Sequence, residues 1–289
     1  MLQCELEQGC VLPETKNLTH TQANRPTKAD VIFVTDPLCS HCWAIEPMWR
    51  RLNCNYQFTT RYIHGGLLPG WQGFADAGNG ISGPLDVIPH WQYVADVYQQ
   101  PINTSIWRDD PISNSYILCK AALVARHLLP KQESNFVRFM RERIFLYAKN
   151  LSDERLLMRC AEDFAFDPDV FLSLLHSAQI NSLFMHEQNE MYGLGARGFP
   201  SIIFLSERPE KVVGSASYAA LEAGLLVQNN PNVRKIELSD TQKLLSYRSW
   251  TLREATEVLQ CTEASARYLL QGLGFKLSRI ANADFWKIN

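Results

Sequence analysis

Long apolar runs are missing from this chain. The longest are five residues, at 121–125 and 144–148, against the roughly 20 that span a bilayer, so a transmembrane role is excluded. An excess of either charge is also missing. Lys and Arg number 28 against 30 Asp and Glu, a net of −2, which leaves no overall basic field to hold nucleic acid or an anionic membrane. The first ten residues, MLQCELEQGC, carry neither a basic start nor an apolar core, so no secretory signal is visible. Eight cysteines in 289 residues fall short of a secreted disulfide framework, and a reducing cytoplasm is the expected compartment. There is no Gly-rich phosphate loop and no second thiol or imidazole pair at zinc-finger spacing, so neither metal nor nucleotide nor flavin is implied. What remains is a globular protein, 46% apolar and 20% charged, long enough for about two domains.

Residues 1–28 are polar and aperiodic and are expected to form a loose arm. Residues 30–36, Asp-Val-Ile-Phe-Val-Thr-Asp, make a short β-branched run closed by Pro37, the pattern of a buried central strand. Ile45, Met48, Trp49 and Leu52 then recur at three- and four-residue steps, predicting a helix over 39–53. Alternation from Tyr56 to Tyr62 predicts a second strand over 56–63. Residues 85–191 read as helical, with helices over 115–129, 135–147, 152–164 and 167–178, the last with Pro168 in its first turn. Strands return at 201–205 and 211–213, followed by a helix over 218–228. Two β-rich ends therefore flank an insertion of about a hundred helical residues. Asn229-Asn-Pro-Asn232 is a breaker cluster and a candidate linker. Beyond it, residues 233–289 form a separate module. Thr251-Leu-Arg-Glu254 is a capping box, Thr262 can cap the next helix, and 275–280 with 284–288 predict a hairpin. Helix, turn, helix, hairpin is the order of a winged helix.

Cys39-Ser40-His41-Cys42 stands at the end of the first strand and opens a helix. A thiol at a helix N-terminus meets unpaired N–H groups and the positive end of the dipole, which favours the thiolate. Cys39 is therefore the expected attacking thiol and Cys42, one turn on, the covered resolving thiol. His41 should lower the Cys39 pKa further, and stabilising the reduced state makes the disulfide a stronger oxidant. Ser40 stands with His41 as a tuning residue. Half a zinc site, or two core cysteines, would fit the same four residues. Pro47 lies inside the predicted helix, where proline costs about 3 kcal/mol and kinks the chain. Gly198-Phe199-Pro200-Ser201 immediately precedes a strand, making Pro200 a candidate cis proline that would leave the Phe199 backbone free to pair with an extended substrate. A trans proline starting an edge strand is the alternative.

Asp36-Pro-Leu-Cys-Ser-His-Cys-Trp43, Pro47 and Gly-Phe-Pro-Ser at 198–201 resemble the thioredoxin superfamily, and the helical insertion resembles its DsbA-like branch. His64-Gly-Gly-Leu67 and Pro89-His-Trp91 are similar to FrnE-like members. The resemblance covers about residues 31–227. It implies an α/β thioredoxin fold with an inserted helical domain, and a cytoplasmic thiol-disulfide oxidoreductase acting on protein or small-molecule disulfides. In that case Cys39 attacks, Cys42 resolves and Pro200 is the cis proline. Ser40-His41 departs from the Pro-Trp common in FrnE-like proteins, which also usually lack the C-terminal module. The string at 36–47, Asp-Pro-Leu-Cys-x-x-Cys-Trp-x-x-Glu-Pro, with the C-terminal extension ending in Phe285-Trp-Lys287, also resembles the SpxH/YjbH adapters. Those proteins deliver the regulator Spx to the ClpXP protease and act mainly as binding scaffolds.

Other residues extend these expectations. Glu46 shares a helix face with Cys42 and could move its proton, although a solvated helix residue fits as well. Asp36 is expected to cap the turn. His64 and His90 could border the groove, and Trp43, Trp71 and Trp91 could form an apolar rim for substrate. Cys54, Cys119, Cys160 and Cys261 are expected to be buried; Cys4 and Cys10 match no defensible site. The 233–289 module holds nine Lys or Arg and six Asp or Glu. Its second helix offers only Arg267 to a nucleic acid, where readers present several such side chains. It is better suited to docking a regulator, a protease or a second copy, with Trp250, Tyr268 and Trp286 as core or interface.

Overall fold

The computed structural model describes residues 3–5, 9–11, 29–227 and 230–288. Part of the expected arm is strand: β1 (Gln3–Glu5) and β2 (Gly9–Val11) pair with each other. The rest of residues 1–28, and Asn229 of the candidate linker, lie outside the described residues.

The central sheet runs β5-β3-β7-β8. β3 (Val31–Thr35) lies parallel to β5 (Thr60–His64) and antiparallel to β7 (Ser201–Phe204), which pairs antiparallel with β8 (Glu210–Val213). The unbroken apolar run at 31–34 arises because both faces of β3 are covered. Val31 and Phe33 pack with Trp49, Leu52, Ile202, Phe204, Leu221 and Leu225 on one face. Ile32 and Val34 pack with Ile63, Met191, Phe199, Cys39 and Cys42 on the other. The expected strand over 56–63 is in fact two, β4 (Tyr56–Gln57) and β5, and β4 pairs instead with β9 (Arg234–Lys235) beyond the insertion.

The first helix is also split. α1 (Ser40–Ala44) stops at Ile45 and α2 (Glu46–Asn55) starts immediately after it. Pro47 falls in the first turn of α2, where a missing N–H is no loss; the expected kink is thus a break. The insertion comprises α3 (Val87–Tyr98), α4 (Ile106–Asp109), α5 (Tyr116–Leu128), α6 (Glu133–Arg141), α7 (Glu154–Asp163), α8 (Pro168–Leu175) and α9 (Ala178–Gly193). α6 continues into a π-helical turn over Glu142–Leu146. β6 (Gly198–Phe199) then leads into β7, and α10 (Tyr218–Leu226) closes the sheet. Gly224 is where α10 meets it: a Cβ there would sit 2.4 Å from the Phe204 ring.

The C-terminal module contains α11 (Asp240–Leu245), β10 (Ser249–Thr251), α12 (Leu252–Leu259), α13 (Glu263–Gly272), β11 (Lys276–Ile280) and β12 (Ala283–Lys287), with sheet order β10-β12-β11. Ala281 and Asn282, both at positive φ, make the two-residue turn whose twist suits a hairpin. The module is not a detached bead. Leu244, Trp250, Val258, Leu270 and Trp286 enclose Cys54 of α2, and Phe285 reaches the core of the insertion. Tyr268 is exposed and takes no part in the core. Arg267 pairs with Asp284 and Glu263.

Candidate thiol site and its surroundings

The end of β3 delivers the chain into a turn fastened by Asp36. Its carboxylate accepts from the Leu38 N–H at 2.7 Å, the Leu67 N–H at 2.6 Å, the Ser115 hydroxyl at 2.8 Å and the Cys119 thiol at 3.3 Å. Burial raises the Asp36 pKa, and those four bonds pull against it. This is the turn-capping role expected for it. The next segment, His64-Gly65-Gly66-Leu67, needs its glycines. A Cβ on Gly65 would strike the Phe199 ring at 2.5 Å, and Gly66 has φ +78°, a conformation that glycine adopts freely.

Cys39 is the N-cap of α1, and its sulfur accepts the Cys42 N–H at 3.1 Å. Cap geometry matches the expectation; electrostatics do not. Both sulfurs are fully buried. Burial, and then the adjacent Cys42 sulfur, push the Cys39 thiol well above its ordinary value, so it is not a lowered-pKa nucleophile here. Burial acts upward on Cys42 too, but the hydrogen bond from Cys39, the charge of Arg141 and the Thr35 hydroxyl outweigh it and bring Cys42 down. His41 supplies no positive charge either. It is enclosed, and burial followed by repulsion from His90 lowers its pKa to about 3. Its Nδ1 lies 2.8 Å from the Ser215 hydroxyl, and its Nε2 has no partner among the described residues. The sequence rule failed because it counted helix position and residue type, whereas desolvation decides the sign here.

Several expected substrate contacts belong to the core. Trp43 is fully buried, stacks on Phe145 at 5.5 Å and donates its Nε1 to the Pro101 carbonyl. His64, the last residue of β5, is fully buried. Its Nε2 sits 2.8 Å from Glu133, and its backbone N–H donates to Glu187; it does not border the groove. Cys261 is half-buried rather than buried. Trp91 and His90 do come to one place, a pocket beside Ser40, whose hydroxyl is 3.4 Å from His90 Nε2. The Phe199–Pro200 peptide bond is cis. Phe199, expected to offer a free edge, is buried, and its strand pairs antiparallel with β2, Cys10 opposite Phe199.

Glu46 is not a solvated residue. Its carboxylate is held by Arg141 at 2.7 Å, with Arg50 at 3.6 Å and Arg138 at 3.8 Å. These arginines head a network invisible to sequence inspection. Arg141, from α6, also donates to the Thr35 hydroxyl at 2.5 Å and the Asp36 carbonyl at 3.3 Å, directly behind the dithiol. Arg138 lies 4.3 Å over the Trp43 ring and pairs with Glu142 and with Glu254 of the C-terminal module. Glu254 also faces Arg50 and accepts from Gln100. The pairs Arg138–Glu142 and Glu46–Arg50 are at i,i+4 spacing and readable in principle; the others join residues about one hundred to two hundred positions apart.

A family model described as Thioredoxin matches residues 32–223. The ClpXP adapter protein SpxH of Halalkalibacterium halodurans is 26% identical over 222 residues, 74% of this chain and 72% of that protein. The SpxH of Bacillus subtilis is 26% identical over 211 residues, 70% and 68% of the two chains. Among solved structures, the cytosolic disulfide reductase DsbM of Pseudomonas aeruginosa superposes with a TM-score of 0.56 at 18% identity, covering 68% of this chain and 98% of that one. That likeness is one of fold, the thioredoxin sheet interrupted by a helical insertion. With its model match spanning the sheet, the dithiol turn and the insertion, the chain belongs to the thioredoxin family.

Proposed function

We propose that this protein is a cytoplasmic adapter of the SpxH kind, a thioredoxin-fold scaffold that binds a regulator of the Spx type and promotes its degradation by ClpXP. The observation that carries this reading is the state of the dithiol. Both sulfurs are fully buried, the one expected to attack as much as the one expected to resolve. A dithiol seated in the core serves the fold and the surfaces around it more readily than turnover. The similarity to SpxH adapters over most of both chains supports the same reading. The C-terminal module, which leaves Tyr268 and Leu277 in solvent, is the proposed docking face for regulator or protease.

The test is degradation of a purified Spx-type regulator by ClpXP, with the wild-type chain and with a Cys39→Ser/Cys42→Ser double variant. Equal acceleration by both supports the adapter. No acceleration by either sinks it.

A second reading, a thiol-disulfide oxidoreductase using Cys39 and Cys42 on protein or small-molecule disulfides, is favoured by one specific arrangement. The sulfurs share a single apolar cluster with Phe199, the residue before the cis proline. Its signature would be a Cys42→Ser variant that traps disulfide-linked partners through Cys39, with no effect of the wild-type chain on proteolysis.

A further inference from the structure

Sequence spacing assigns Cys4 and Cys10 no site, but the strand register gives them a place. β1, β2 and β6 form a small antiparallel sheet in that order. Cys4 stands directly opposite Cys10 across β1 and β2, and Cys10 stands directly opposite Phe199 across β2 and β6. Residues directly opposite in antiparallel strands share one face of their sheet. Cys4, Cys10 and Phe199 are therefore one row on one face. Opposite Cα atoms in such strands are about 4.5–5.5 Å apart, inside the roughly 4.4–6.8 Å that a disulfide bridges. The register thus suits a cross-strand disulfide between Cys4 and Cys10 with no movement of the backbone.

The third member of the row connects it to the buried thiols. Phe199 is wholly buried, and it belongs to the same apolar cluster as Cys39 and Cys42. The row runs from β1, the outer strand of the small sheet, through β2 and Phe199 to the dithiol. Cys39 and Cys42 are free thiols with no exposed surface. Thiol-disulfide exchange depends on access to the sulfur that is attacked and to the one that attacks. A disulfide arriving from solution therefore meets the buried pair only when the core opens. A sulfur carried on β2 is already beside Phe199 and needs no such opening.

We propose that Cys4 and Cys10 are a second, outer dithiol that passes a disulfide inward to Cys39 and Cys42, with Cys10 as the sulfur that hands it over. A small disulfide in solution first exchanges with the outer pair. Cys4 and Cys10 lose two protons and close their disulfide, and the small disulfide leaves as two thiols. Cys39 then attacks the Cys10 sulfur and loses its proton; the Cys4–Cys10 bond breaks, and Cys4 leaves with the electron pair and takes up a proton. Cys42 attacks Cys39 in turn; the Cys10–Cys39 bond breaks, and Cys10 leaves as a thiol. The buried pair is oxidised by two electrons, the outer pair returns to thiols, and the two protons given up by Cys39 and Cys42 balance the two gained by Cys4 and Cys10. The relay concerns how oxidation reaches the buried pair, so it holds for a binding scaffold and for an oxidoreductase alike.

The test uses the full chain, reduced, mixed with oxidised glutathione and sampled by acid quench, with alkylation and peptide mass spectrometry reading each pairing. In the wild type the Cys4–Cys10 disulfide should appear first and Cys39–Cys42 after it. Cys10→Ser should slow formation of Cys39–Cys42 at least about tenfold, because only direct exchange with the buried sulfurs is left. A second measurement captures the intermediate. With Cys4→Ser and Cys42→Ser together, Cys10 and Cys39 lose the partners that would carry the disulfide onward, and the Cys10–Cys39 linkage should accumulate. With Cys10→Ser and Cys42→Ser, Cys4 remains one strand, about 4.8 Å, farther from β6, and its linkage to Cys39 should be at least about tenfold scarcer. Should the Cys42 variants fail to fold, the rate measurement stands, since it leaves the buried pair intact. An unchanged rate in Cys10→Ser, a Cys39–Cys42 disulfide that forms before Cys4–Cys10, or linkage of Cys39 to Cys4 as readily as to Cys10 would each overturn the proposal.

Discussion

Replacing Glu254 with Gln should destabilise the protein by about 3 kcal/mol at neutral pH. Glu254 is wholly buried in α12, faces Arg138 and Arg50, and accepts from the Thr251 N–H at 2.9 Å. Desolvation opposes its charge, but Arg138 and then Arg50 more than compensate, holding its pKa at about 2 against an ordinary 4.5. Between two and three pKa units at 1.36 kcal/mol each is about 3 kcal/mol. Breaking a buried ion pair by removing one partner independently suggests about 3–5 kcal/mol. A carboxylate with a lowered folded-state pKa stabilises fully above its unfolded value and loses that contribution as pH falls toward the folded one. The gap between wild type and Glu254→Gln should therefore be constant from pH 6 to 8, narrow below about 5, and shrink by roughly half by pH 3. Urea denaturation followed by Trp fluorescence across that range measures it. A gap below about 1 kcal/mol at pH 7, or one that does not change with pH, would refute the reasoning.

Three further outcomes follow from the same structure. His41, with its pKa lowered to about 3 by burial and by His90, is neutral when folded and protonates when unfolded. It costs the folded state about 1.4 kcal/mol per pH unit as pH falls below about 6.5, a slope that His41→Asn should remove and that imidazole NMR should match by showing no titration of His41 above pH 4. Arg141→Gln takes away the charge that lowers both thiols and leaves Glu46 short of a partner. Absorbance titration should show the first ionisation of the pair moving to higher pH, with about 2–4 kcal/mol lost in denaturation. Gly224→Ala drives a methyl to 2.4 Å from the Phe204 ring, and the resulting overpacking should lower stability by about 1–3 kcal/mol in a thermal melt.

The sequence made local structure plain and long-range charge opaque. Val31–Thr35, the N-cap at Cys39, the Thr251 capping box and the hairpin turn at Ala281-Asn282 each depend on neighbours within a few residues. Periodicity and turn chemistry report those directly. Errors arose wherever burial depended on distant segments. Trp43 reads as a rim residue until the insertion lays Phe145 and Arg138 against it. His64 reads as a groove residue until Glu133 and Glu187 close over it. His41 fits a basic tuning residue only if water reaches it. Pro47 was legible as a disruption, but whether it kinks one helix or separates two depends on where the i→i−4 ladder restarts.

Glu254 shows most sharply how a correct local assignment can hide a larger role. As the third helical residue of Thr-Leu-Arg-Glu it answers the N-cap, and any solvent-exposed Glu would do so equally well. Here the same carboxylate is wholly buried against Arg138 of the insertion and Arg50 of α2. One side chain thus joins the C-terminal module, the insertion and α2. Arg138 and Arg50 share Glu46 with Arg141, and Arg141 donates to Thr35 and Asp36 at the root of the dithiol turn. A partner that strained the module away from α2 would unpair Arg138 and Arg50 from Glu254, whereas a partner that left it seated would not. The dithiol turn and the C-terminal module are therefore linked through five buried or half-buried ionic side chains, Glu254, Arg138, Arg50, Glu46 and Arg141.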